Sequence, residues 1–464
     1  MNIMEIIQVF GHNIFFYVIV FLAVLSILVF VHEWGHYIVA RMCGVKVDSF
    51  SIGFGKELWG RHDRNGCRWK ISAVPLGGYV KLFGDVDPAS AGHSDEIDDP
   101  ENGIKRPMTE HERSQAFFAK PVWQRAAIVF AGPAINYIFA FFVYVGLFMY
   151  HGQTVSPPIA AAIGIGSPAE KHGFLPHDRI ISIDGKEIES FNDVRREMLL
   201  ALDAERHFIV ERDGQKIDLY AKPERVETED RFGFKSSYGR LGIYDPTWGI
   251  EIKKILKIGG VPVESEEEKI KQLQDRMGTT YMIETDLGPK TEILQVHPLK
   301  ELNTAMTDPK DLDRFGILYL SNSPPREVIK LSPLEAVPRA IKECYVVTRN
   351  IMEALGQMIT GVRSATELGG IIRIGAIAGD VAQQGFVFLI GLMALLSINL
   401  GFINLLPIPL LDGGHLLFYF FESIMGRPVP EQVQEYAFRF GLVFLIGIMA
   451  FANLNDILQM LPDK

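Results

Sequence analysis

The chain has 464 residues, 48% of them hydrophobic, and a formal net charge of −10. That acidic balance argues against a nucleic-acid partner, which would need a basic face. Its three cysteines, Cys43, Cys67 and Cys344, are too widely spaced for a CxxC metal pair or a disulfide framework and read as packing residues.

The mean hydropathy of +0.14 hides strong segregation along the chain. The first charge-free run, Ile14 to Val31, is long enough to cross a bilayer core, which takes roughly 20 residues as helix. The stretch before it, "MNIMEIIQVFGHN", has Glu5 and no Lys or Arg, and no small-residue cleavage site follows. A retained span is therefore expected rather than a signal peptide. The run leads straight into "VFVHEWGHY", Val29 to Tyr37. On a helix His32 and His36 are four residues apart and share one face. Two imidazole nitrogens so placed can bind one Zn²⁺. Glu33 beside them is positioned to take a proton from a water at the metal, the H-E-x-x-H pattern of zinc peptidases. Gly35 is expected to keep the helix surface thin near the metal. The alternative is an interfacial histidine pair that only snorkels to the headgroups, although polar groups beside lipid are costly and default to function.

Next, "RWKISAVPLGGYVKLFGD" alternates polar and apolar residues on both sides of Pro75-Leu76-Gly77-Gly78, which predicts a β-hairpin turning there. Residues 85–115 are acidic and rich in turn formers and read as a mobile loop. The second charge-free run is Ala126 to Tyr150. A soluble insert begins near Val155. "SPAEKHGFLPHDRIISIDGKEIESFNDVRREM" predicts a short helix from Ser167-Pro168, a glycine stop, a strand, an Asp-Gly turn and a second helix. "IEIKKILKIGGVPVESEEEKIKQLQ" repeats the strand, glycine turn and helix, without the SPAxxxG element. From Ser332 to Ile359 an amphipathic helical pattern leads back toward the membrane.

The third run, Gly385 to Leu411, carries Asn399 and Asn404 and is broken by Pro407 and Pro409 just before Asp412. A catalytic zinc needs a third protein ligand, and no third His or Glu follows HEWGH closely. Asp412 is the best candidate, since the next acid upstream is Asp380. Alternatively it is a helix-end turn acid before Gly413-Gly414. A shorter fourth run, Phe440 to Asn455, ends at Asp456. Basic residues flank the runs at Arg41, Lys46, Lys120, Arg125, Arg427 and Arg439, which puts 41–121 and 427–439 in the cytoplasm. His32, His36 and Asp412 then approach one side, and both termini and the insert lie on the other.

HEWGH and LDGGH carry a resemblance, supported by Gly53-Phe54-Gly55, "PLGGYVKL", "KPVWQRAAIVFAGPAIN" and "SPAEKHGFLPHDRIISIDGKEI". Across nearly its whole length the chain resembles the site-2 protease family of intramembrane zinc metalloproteases. The resemblance implies a bacterial inner-membrane protein with four transmembrane helices, a membrane-associated β-hairpin and an inserted α+β tandem PDZ-like region in the periplasm. It implies one zinc per chain at His32, His36 and Asp412, with Glu33 catalytic and the active site toward the cytoplasm. It also implies cleavage of single-span membrane proteins within the bilayer, whether anti-sigma-factor type substrates or remnant signal peptides, in regulated intramembrane proteolysis. Asn399, Asn404, Pro407 and Pro409 match positions used there for substrate handling, and Gly77, Gly78 and Tyr79 of the hairpin are expected to offer a strand edge to substrate.

The expected division is 1–150 membrane part, 151–225 first PDZ-like unit, 226–300 second unit, 301–384 connector and 385–464 membrane part. The PDZ-like region is expected to contact substrate ectodomains or envelope peptides. The second unit departs from the pattern, although "RLGIY" (Arg240 to Tyr244) looks like a carboxylate-binding loop. So does Gly369-Gly370-Ile371-Ile372, where the family has Ser-Gly-Pro-Ile. The rival reading is a non-catalytic PDZ-bearing membrane scaffold with a structural zinc site; Glu33 favours the enzyme, because a closed structural site needs no base.

Overall fold

The computed structural model describes residues 14–85, 96–98, 105–247, 249–288, 290–307, 316–320 and 327–461. Among them four helices are long and apolar enough to cross a membrane: Ile14–Met42, Val122–Tyr150, Phe386–Leu405 and Glu431–Met460. In lipid every backbone polar group must find an internal partner, so a charge-free run has no alternative to helix. The first helix does not stop where its apolar run stops. It continues through HEWGH to Met42, 29 residues in all, or roughly 44 Å at 1.5 Å per residue.

The second span is the central one. A Cβ on Gly35 would sit 2.3 Å from the Ala131 carbonyl oxygen, and one on Gly401 would sit 3.0 Å from the Pro133 oxygen. Small residues thus bring the first and third spans onto the second, as is usual where packing rather than hydrophobicity joins helices in lipid. Gly35 keeps the first span thin where Ala131 of the second span, next to Gly132 at the histidines, rests on it. The third span ends at Leu405, short of the expected Leu411. The chain turns through Pro407 and Pro409, Leu410 adopts φ 86, and a new helix, Asp412–Met425, begins at the aspartate. Gly413 and Gly414 face the turn so closely that a Cβ would meet the Leu406 and Ile408 carbonyls at 2.2 and 2.5 Å.

The expected hairpin is present, but its turn is elsewhere. Strands Val47–His62 and Arg68–Leu82 pair antiparallel, joined at Asp63 to Cys67. There Asp63 accepts from the amides of Asn65 and Cys67 at 2.8 and 2.9 Å, and Gly66 takes φ 83. Pro75-Leu76-Gly77-Gly78 lies inside the second strand, where it doubles back. Ser49 to Ile52 pair with Arg68 to Ile71 and also with Gly78 to Lys81. Cys67 is buried here, which pushes its thiol up to about 12, in keeping with a packing role.

The acidic stretch lies partly outside the described residues, and what is described is not a bare loop. Glu96–Asp98 pairs with Lys105–Pro107. Glu110–Gln115 is a helix with a capping box, in which Thr109 and Glu112 satisfy each other's amides at 2.9 and 3.3 Å.

In the insert the predicted short helix, Asp-Gly turn and second helix occupy Pro168–Lys171, Asp184-Gly185 and Phe191–Leu200. Two hydrophobic cores form. One gathers Phe174, Ile180, Ile183, Phe208 and Val210, the other Ile255, Ile258, Leu273, Ile283 and Leu294. Both units run strand, glycine turn, short strand, helix and antiparallel strand pair. The strand Ala162–Gly164 joins them: it pairs with Thr291–Val296 of the second unit, while Ile163 enters the first core and Ala162 the second.

Two attachments tie the insert to the spans. Helix Pro333–Ile359 packs Ala340 and Val347 against Ala140 and Tyr144 of the second span, while its polar face pairs with the first unit, Arg196 to Glu343 at 2.7 Å and Arg349 to Glu197 at 2.6 Å. The tip between strands Glu224–Glu229 and Lys235–Arg240 drops Phe232 and Phe234 against Tyr17 and Ala376, and Arg231 bonds Tyr17 and Asp380. Phe234 is 1% exposed. Phe234→Ala should cost about 3–5 kcal/mol at this contact. Trypsin should then cut the intact protein at Arg231 and Lys235 far faster than wild type; an unchanged digestion rate would show that the tip does not hold the insert.

Candidate metal centre

His32 and His36 emerge on one face of the first helix with their Nε2 atoms 3.3 Å apart. Asp412 enters from the start of its own helix, its Oδ2 3.2 Å from His32 Nε2 and its Oδ1 3.6 Å from His36 Nε2. One ligand atom from each of the three lies within 4.8 Å of the others. His36 donates through Nδ1 to the Ile128 carbonyl at 2.9 Å, which leaves Nε2 with its lone pair facing the carboxylate. Asp412 Oδ2 is buried and receives no hydrogen bond. The Nε2 edges of two imidazoles and a carboxylate thus converge at a poorly solvated point, an arrangement that could hold a cation. Two nitrogens and one oxygen with one position left open is the donor set of a catalytic zinc, and the residues fit that ion.

Glu33, one residue on, is turned toward the sheet. A Cβ on Gly78 would come within 3.3 Å of Glu33 Cγ and 2.7 Å of the Ser51 carbonyl. Only glycine lets the strand lie this close to the Glu33 side chain. A cavity of about 510 Å³ opens there, lined by His32, Glu33, His36 and Asp412 together with Gly77, Gly78, Tyr79 and Asn404. The Asn404 amide is 3.4 Å from His32 Nε2.

Not every predicted site residue arrives. Asn399 does not line the cavity. It is five residues from Asn404, which places it about 140° around the helix at 3.6 residues per turn. Pro407 and Pro409 are also absent from the walls and shape the turn that delivers Asp412. Conversely, the "FAGPAIN" segment had been assigned no role, yet a Cβ on Gly132 would lie 2.2 Å from His36 Nε2, and the Asn136 amide is 3.1 Å from His32 Nδ1. The available signal was the four-residue spacing of Ile128, Gly132 and Asn136. His415 lines the cavity too, its ring 5.1 Å from that of Phe438 in the fourth span.

The family model of peptidase family M50 matches residues 20–448. The chain is 36% identical over 441 residues to a candidate zinc metalloprotease of Agrobacterium fabrum, covering 95% of both chains. It is 32% identical over 450 residues to the metalloprotease MmpA of Caulobacter vibrioides, covering 94% of both. To the regulator of sigma E protease of Haemophilus influenzae it is 31% identical over 456 residues, covering 95% of this chain and 98% of that one.

The tightness at Gly132 gives a direct test. In Gly132→Ala the new methyl must displace the His36 ring, so purified protein should carry at least tenfold less zinc at limiting metal, read by elemental analysis, while the helices remain folded by circular dichroism. Wild-type zinc content would show that the ring tolerates the methyl and that the spacing is incidental.

Proposed function

The chain belongs to peptidase family M50 and is a membrane zinc metalloprotease, and from that premise we propose that it hydrolyses peptide bonds inside the transmembrane segments of single-span membrane proteins. Substrates of anti-sigma-factor type and remnant signal peptides both suit this reading. The observation that carries it is the position of the centre: His32, His36, Asp412 and Glu33 share one cavity with a strand edge, at the ends of apolar helices.

In this reading His32, His36 and Asp412 hold the zinc, which when bound supplies Lewis-acid polarisation of the scissile carbonyl. Glu33 takes the proton from the attacking water at its carboxylate and returns it to the leaving amine nitrogen. A transmembrane helix hides its amides in its own hydrogen bonds, and each one freed in lipid costs several kcal/mol. Gly78 to Leu82 can take up an unwound substrate as an added strand, with Gly77 and Gly78 keeping backbone rather than side chain at the surface. The Asn404 amide is placed to bond the substrate backbone near the scissile bond. Asn399, Pro407 and Pro409 act at one remove, by holding the third span and the turn to Asp412.

The basic flanks place the centre at the cytoplasmic face and the insert in the periplasm of the inner membrane. There the two PDZ-like units, 151–225 and 226–300, stand where a bulky ectodomain would collide, and they restrict access by size.

Cleavage of a model single-span substrate in detergent tests the roles, with zinc measured in each variant. Glu33→Gln should abolish proteolysis and keep the metal, His36→Ala should lose both, and Asn404→Leu should cut more slowly with zinc intact. Retained cleavage in Glu33→Gln would refute the assignment of the base.

Orientation is tested separately. Reporters fused near residue 250 and near residue 100 should read periplasmic and cytoplasmic respectively, and the reverse pattern would put the centre on the outer side.

A further inference from the structure

Ile128, Gly132 and Asn136 follow one another at four-residue intervals on the second span and so share a face. That face lies along the two histidines of the first span. Ile128 takes the Nδ1 proton of His36 at 2.9 Å, and Gly132 leaves room for both rings, since a Cβ there would sit 2.2 Å from His36 Nε2 and 2.9 Å from His32 Cε1. Asn136 stands at His32 Nδ1, 3.1 Å away.

We propose that Asn136 is a positioning residue that holds His32 as its Nδ1–H tautomer and so keeps the Nε2 lone pair available for the metal. This rests on the zinc reading of His32, His36 and Asp412.

An amide can face a ring with either end. Facing it with Nδ2, Asn136 would donate to Nδ1. The ring proton would then sit on Nε2, the atom that points at Asp412. Facing it with Oδ1, the side chain accepts the Nδ1 proton and Nε2 is free to ligate. Only the second orientation agrees with a metal at this site. The main chain that carries this side chain is fixed: Asn136 is 0% exposed, its Cβ lies 3.2 Å from where a Cβ on Gly401 would be, and its backbone carbonyl takes the Ser397 hydroxyl at 3.0 Å. Both imidazoles are thereby oriented by one face of one helix, His36 through a backbone carbonyl and His32 through a side chain. Loss of such a ring partner typically weakens metal binding by about 10- to 100-fold.

Zinc affinity of the full-length enzyme in detergent, measured by competition with a chelator, reads this without reference to activity, and the visible spectrum of the cobalt-loaded form reports ring geometry. Asn136→Leu should bind zinc about 10- to 100-fold more weakly and shift the cobalt bands. Asn136→Ser, which fits the same space but falls short of the ring, should do the same and guards against a folding failure of the leucine variant. Asn136→Asp keeps an acceptor at Nδ1 and should stay near wild-type affinity. Wild-type affinity and spectrum in both the leucine and serine variants would overturn the proposal, as would a loss in Asn136→Asp equal to theirs. Wild-type zinc affinity in His32→Ala is the separate outcome that overturns the metal-site reading itself.

Discussion

The backbone of the second span lies almost in contact with the first, and the centre is built on that approach. At Gly35 the first helix touches the Ala131 carbonyl, and at Gly132 the second leaves just the space that two imidazoles need. The two glycines face opposite ways across one interface. The first lets the helices close, and the second keeps the rings from being crushed when they do. A Cβ on Gly35 would press on the Ala131 carbonyl and push the helices apart, whereas one on Gly132 would press on the imidazole rings themselves. The i,i+4 spacing on the first span and the i,i+4,i+8 spacing on the second are thus a single matched surface.

Asp412, the third member of the cluster, comes from almost four hundred residues away, and the chain adopts several special conformations to deliver it. The third span packs on the second through Gly401, then breaks at Pro407 and Pro409. Leu410 takes a positive φ that an L-residue adopts only where surroundings over-determine it. Gly413 and Gly414 allow the new helix to pack directly on the turn. An aspartate in the first turn of that helix is also favoured by the helix dipole. The fourth span braces the arrangement from outside, with Gly441 against the Pro409 carbonyl.

How much of this the sequence discloses depends on the range of each interaction. The histidine pair is legible because helix periodicity fixes its geometry within five residues. The spans and the order of elements in the insert are legible because apolar runs, Asp-Gly turns and caps act locally. Pro75-Leu76-Gly77-Gly78 does lie at a reversal, as its turn chemistry suggests, but the arms on either side of it flank Ser49 to Ile52 instead of pairing with each other, and the turn that joins the two strands is Asp63 to Cys67. Those glycines serve a close approach to Glu33 that no local rule anticipates. The helix at Glu110 hides in an acidic stretch, although its Thr109–Glu112 capping box is readable. Asn136 is harder to read: its four-residue spacing from Gly132 and Ile128 marks a shared face, but its partner is 104 residues away and an asparagine in a span has many uses.

Two aspartates end apolar runs in this chain, Asp412 and Asp456, and by sequence they are alike. The structure separates them by their donors. Asp456 is 0% exposed, and one of its oxygens accepts from the amides of Gly370 and Arg373 at 3.0 and 2.9 Å. Through that oxygen it caps the start of the helix Ile371–Gln384, while its Oδ1, like Asp412 Oδ2, is buried without a hydrogen-bond partner. Among the described residues no amide reaches the Asp412 carboxylate; its neighbours are the Nε2 atoms of His32 and His36, and the His36 proton is drawn to the far side of its ring by the Ile128 carbonyl. A buried carboxylate must be met by hydrogen-bond donors or by a cation. For Asp456 the backbone supplies the donors. For Asp412 no backbone amide does so, and the imidazole nitrogens that face it instead suit the metal ligation proposed above.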